Sequence, residues 1–95
     1  MKLSQVMEKF NLELRVAYYG RWVVQFRGVD IKDRGLLKDE YGNGDTLKEA
    51  LTNYLESVSG LEVVYYAIGR DRRVFTLPSI EDDSGINDTN KITRE

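Results

Sequence analysis

Between Leu47 and Val58 the apolar residues fall at Leu47, Ala50, Leu51, Tyr54, Leu55 and Val58. Steps of three and four lay these side chains along one face of a helix. Thr46 and Glu49 have capping-box spacing, in which the hydroxyl accepts from the Glu49 amide while the carboxylate reaches back. Gly60 stands where a left-handed C-terminal cap is expected. A shorter stripe of the same period, Leu3, Val6, Met7 and Phe10, predicts a helix of about two turns, opened by Ser4 and stopped by Asn11.

From Leu12 the period changes to two. Leu12, Leu14, Val16 and Tyr18 take one face, with Glu13, Arg15 and Ala17 on the other, and the pattern resumes at Trp22–Arg27. A two-residue loop at Gly20 and Arg21 would set Val16 against Gln25 and Leu14 against Arg27. A three-residue loop, Tyr19–Arg21, instead pairs Tyr18 with Trp22, Val16 with Val24 and Leu14 with Phe26. Only this second register keeps one face apolar, so it is the one expected.

Residues 28–45 are rich in glycine and charge, with Leu36–Lys38 as a short third strand between exposed loops. Leu61–Ile68 is nearly continuous in branched and aromatic residues and reads as a strand. Gly69–Arg72 reads as a turn, and Arg73–Leu77 as the returning strand, closed by Pro78. The predicted order is α-β-β-β-α-β-β. Consecutive hairpins and two covering helices imply an α+β two-layer sandwich, with a mainly antiparallel sheet of about five strands. Residues 1–80 form the single domain. Residues 81–95 are polar and lack aromatics, the pattern of a flexible tail.

Composition narrows the chemistry. The 95 residues include no cysteine and no histidine, which removes thiolate and imidazole catalysis, disulfides, and zinc sites with nitrogen or sulfur ligands. With 14 basic and 16 acidic residues the net charge is −2, giving no general attraction to a polyanion. No apolar run approaches the ~18 residues of a membrane span, and no signal-peptide core opens the chain, so a cytoplasmic protein is expected.

Three clusters could carry function. Gly42–Thr46, ahead of the long helix, has the form of an anion cradle, but Asp39, Glu40 and Asp45 crowd it and it reads as a capping turn. Asp30, Asp33, Asp39 and Glu40 could gather around a hard cation, yet their spacing matches no calcium loop; Asp82 and Asp83 are weaker still. Neither a metal nor a cofactor is expected. The third cluster is aromatic and basic: Tyr18, Tyr19, Trp22, Tyr65 and Tyr66 near Arg21, Arg70, Arg72 and Arg73. Adjacent tyrosines in a strand point to opposite faces, so one of each pair turns away from the helix-covered side. Such residues serve as cross-strand packing, as a protein interface, or as a stacking surface for single-stranded nucleic acid.

Three family likenesses follow from these residues. Gly42, Gly44, Thr46, Lys48, Glu49 and Ala50, set after a helix and three strands, resemble the second-helix start of double-stranded-RNA-binding domains. Here Lys48 is the one lysine at that position, so the likeness implies the shape. Trp22–Phe26 with Gly44–Asn53 resembles HicB-type antitoxins, which implies a small domain that binds and blocks a toxin. Met7–Leu12, Tyr19–Trp22, Lys38–Gly44 and Asn53–Gly60 together resemble short proteins encoded by phages and prophages of Gram-positive bacteria. That likeness implies an accessory role in the host cytoplasm and brings no catalytic residues. The expected function is a non-enzymatic binding module that contacts a host protein or a second copy of itself. Tyr19, Trp22, Tyr65, Arg70, Arg72 and Arg73 form the expected partner-binding surface. The acidic loop from Asp30 to Glu40 is a second candidate surface. A nucleic-acid-binding module is the alternative, and a small carboxylate–metal hydrolase the third reading.

Overall fold

In a computed structural model of the chain, the described residues are 1–38, 40–65, 72–81 and 92–94. The elements run α1 (Leu3–Lys9), β1 (Glu13–Tyr18), β2 (Trp22–Arg27), β3 (Val29–Asp33), β4 (Leu36–Lys38), β5 (Gly42–Gly44), α2 (Leu47–Val58), β6 (Glu62–Tyr65), β7 (Arg73–Thr76) and β8 (Ile92–Arg94). This is the α+β fold that the periodicity predicts. The β1–β2 hairpin has the expected register, Tyr18 opposite Trp22, Val16 opposite Val24 and Leu14 opposite Phe26. Gly20, at φ +79°, supplies the left-handed residue that the loop needs.

Where one sheet of about five strands was expected, the strands form two sheets. One has the order β5-β2-β1-β8 and the other β4-β3-β6-β7. The chain passes from β2 into β3 through Gly28 alone, whose φ of +74° allows the abrupt change of direction. Residues 28–45 accordingly hold three short strands. β3 and β4 are joined by Arg34 and Gly35, both at positive φ (53° and 81°), as a two-residue hairpin turn of the mirror-image kind requires.

Both helices cover apolar faces. Ala50, Leu51, Tyr54, Leu55 and Val58 of α2 are buried, as are Leu3, Val6 and Met7 of α1. They meet Leu14, Val16, Val24 and Phe26 from the first sheet and Ile31 and Val63 from the second in one core. The Thr46 hydroxyl accepts from the Glu49 amide at 3.1 Å, and Gly60 takes φ +81° after the helix. The expected Ser4 cap is corrected: α1 starts after Lys2, whose amide donates to Gln5 Oε1 at 3.0 Å, and Ser4 lies inside the helix. Asn11 ends it at φ +51°.

Gly42–Gly44, read as part of a loop, is strand β5, lying directly under α2. At Glu81 and at Ile92–Arg94 the chain departs from the expected tail. Ile92–Arg94 runs parallel to β1, with Leu14 opposite Ile92 and Val16 opposite Arg94. A branched Ile-Thr pair suits a strand, and β1 otherwise leaves an open edge there. Residues 82–91 and 95 fall outside the described residues, as do Asp39, Tyr66 and the expected turn at 69–71. Glu81 joins the domain, accepting from the Leu3 amide at 2.9 Å and donating its own amide to the Met1 carbonyl at 2.9 Å. Among the described residues no helix is long and apolar enough to cross a membrane.

Candidate functional site

The second sheet fixes the main site. Tyr65 lies opposite Arg73 and Val63 opposite Phe75. Directly paired residues share a face, as do residues two apart in a strand. Tyr65, Arg73 and Phe75 therefore project to the same side as Val29 and Ile31, toward the core. Being on the last strand of the sheet, Phe75 reaches past the core and remains 41% exposed.

Phe10, at the end of α1, meets it there. The Phe10 and Phe75 rings lie 5.8 Å apart at 57°, and the Tyr65 and Phe75 rings 5.5 Å apart at 83°. The Tyr65 hydroxyl donates to the Phe10 carbonyl. Burial pushes the Tyr65 phenol up to about 12, because the phenolate would lose hydration. The hydrogen bond to a carbonyl adds the same preference, since only the protonated phenol can donate. Lys9 Nζ sits 5.5 Å from the centre of the Phe10 ring, within cation–π range. Lys9, Phe10, Asn11, Tyr65, Arg73 and Phe75 together line a cleft of about 410 Å³.

The expected surface divides. Tyr65 and Arg73 belong to this cleft, and Arg72 is exposed immediately before β7. Tyr19 and Trp22 stand at the tip of the β1–β2 hairpin, the far end of β1 from Phe10 and Asn11. The six residues of β1, at about 3.4 Å each, put roughly 17 Å between the two groups. Arg70 lies outside the described residues. The hairpin tip is a lesser cluster: Trp22 and Tyr18 rings 5.2 Å apart, Tyr19 69% exposed, and an Arg21–Asp45 ion pair at 3.5 Å in solvent. Tyr19 Oη takes part in a bond from Arg15 Nη2 at 3.3 Å, and Arg15 Nη1 donates to Gln25 Oε1 at 3.1 Å. Trp22 packs partly against the core.

Lys9, Phe10 and Phe75 were not among the expected site residues. Phe10 reads locally as the last member of a helix stripe and Phe75 as an ordinary strand residue. The signal for Phe75 was present in its period-two relation to Arg73; that for Phe10 depends on a contact across the fold.

The other two clusters do not assemble. Asp30 and Asp33, three apart in β3, project to opposite faces of the sheet. Asp33 pairs with Lys38 Nζ at 3.2 Å, and Asp39 is outside the described residues. Among the described residues no group of three His, Cys, Asp or Glu side chains converges to hold a metal ion. Gly42 and Gly44 are taken up by contact with α2: a Cβ on Gly42 would meet Tyr54 Cβ and lie 2.6 Å from the Ala50 carbonyl. A second cleft, of about 390 Å³, is lined by Arg15, Gln25, Phe26, Arg27, Gly28, Val29 and Asp30, where the chain turns from one sheet to the other.

Compared with known proteins, the chain matches no family model, no curated protein and no solved structure.

Proposed function

We infer that the chain is a non-enzymatic binding module acting through protein–protein contact, in keeping with a phage or prophage accessory role. The observation that carries this reading is the aromatic cleft on the open edge of the second sheet. Phe75 is a large apolar side chain left half in water, backed by Phe10 and Tyr65 and flanked by Lys9 and Arg73. Aromatic residues and arginine are the side chains most enriched at protein interfaces, and lysine is depleted there, which places Lys9 at the rim and Phe75 at the centre. Edge strand β4 adds exposed Leu36 and Leu37, a second apolar edge open to a partner or a second copy.

The test is capture from extracts of a Gram-positive host with the full chain and with a folded Phe75→Ala, Arg73→Glu double variant, with and without nuclease. The reading expects a protein that binds the wild type, survives nuclease and is lost with the double variant. Capture that disappears with nuclease, or that is equal for both chains, would overturn it.

A further inference from the structure

Strand β7 ends the second sheet, and no described strand pairs with its outer side. One hydrogen bond fixes its orientation: the Leu77 amide donates to the Leu61 carbonyl at 2.8 Å, toward β6. Successive residues of an antiparallel strand turn their amide and carbonyl to opposite sides. Arg73 and Phe75 thus face β6 together with Leu77, while Val74 and Thr76 present their backbone groups outward. All four side chains of β7 are exposed, and among the described residues no strand covers that edge.

We propose that β7 is the docking edge for an extended segment of a partner protein, which adds to the sheet as a further strand. It places an aromatic or branched aliphatic side chain in the cleft of Phe10, Tyr65 and Phe75 and carries Asp or Glu on either side. The proposal rests on the binding-module reading and names the partner's chemistry. Strand addition takes its affinity from backbone hydrogen bonds and its selectivity from pockets for alternate side chains. Both parts are present here: outward groups at Val74 and Thr76, and a cleft on the face shared by Arg73 and Phe75. Charge selects the acidic flanks. Lys9 and Arg73 line the cleft and Arg72 is exposed next to it, with no carboxylate among the described lining residues, in a chain whose net charge is −2. Single-stranded nucleic acid fits less well. The rings meet at 57°, tilted, and at 83°, edge against face, and so offer no row of parallel faces for successive bases.

The test selects displayed random peptides on the immobilised full chain and measures their affinities for variants. The expected peptides carry an aromatic or branched aliphatic residue flanked by Asp or Glu, and lose roughly tenfold or more in affinity with Val74→Pro, Phe75→Ala or Arg73→Glu. Proline at 74 deletes an outward N–H and leaves the ladder to β6 intact, so circular dichroism of that variant should match the wild type. The same peptide N-methylated at alternate amides gives a second readout with the chain untouched, and one of the two methylation patterns should abolish binding. Peptides without acidic residues, binding unchanged by both Val74→Pro and N-methylation, or displacement by oligothymidylate would overturn the proposal. Peptides that protect Leu36–Lys38 or Tyr18–Trp22 instead would overturn the β7 edge and leave the binding-module reading standing. No selected peptide together with no captured protein would overturn both.

Discussion

Tyr54 joins the helix to the first sheet through both ends of its side chain. Its ring packs edge-on against Phe26 at 5.4 Å, and its hydroxyl accepts from the Phe26 amide at 2.9 Å. The reason lies in β5, which pairs with β2 only as far as Val24 opposite Gly42. Past that point the phenol takes the place of a strand. Tyr54→Phe keeps the packing and strands a buried N–H, so it should cost about 1–3 kcal/mol in denaturant unfolding. Tyr65 makes a different prediction. Its phenol is raised from 10.0 to about 12 in the folded chain. Below pH 10 the group is neutral in both folded and unfolded states, and its contribution is fully present. Between pH 10 and 12 the unfolded chain ionises first, so stability falls as pH rises. Tyr65→Phe should remove that part of the alkaline loss, measured as melting temperature against pH.

At the scale of elements, what was legible in the sequence is what its periodicity controls. The β1–β2 register followed from Val16, Val24, Leu14 and Phe26, because a one-residue slip would have turned all of them outward. The face of α2 followed from its spacing. Strand β5 was hidden, since Gly42 and Gly44 leave no side-chain pattern to read. Those positions are glycine because α2 presses on the backbone there. Gly42→Ala should therefore destabilise by about 3 kcal/mol, at the upper end for an overpacked core, in chemical unfolding. Strand β3 does alternate Val29 and Ile31 with charged residues, but glycine and charge on either side gave it the look of a loop. Its turn carries a local strain: Arg34 holds φ +53°, a conformation that favours Asn or Gly. Arg34→Asn should stabilise by about 0.5–1 kcal/mol, read as a higher unfolding midpoint with unchanged slope.

For the whole molecule, the division into two sheets rests on pairings far apart in the chain. β3 finds β6, and Val29 lies opposite Tyr65, across the whole of α2. No local pattern announces that partner, so the aromatic–arginine set could be listed from sequence but not placed. Tyr65 and Arg73 came together; Tyr19 and Trp22 went to the other end of β1; Phe10 entered the site from a helix that sequence assigned to the core alone. On the proposal made above, the β7 edge and its cleft are the working surface. The most direct measurement is an amide chemical-shift map of the isotope-labelled full chain on addition of its captured partner or a selected peptide. Shifts centred on Val74, Phe75 and Thr76, with Phe10 and Tyr65, are the predicted result. Shifts confined to Leu36–Lys38 or to the Tyr18–Trp22 hairpin, with β7 unmoved, would contradict it.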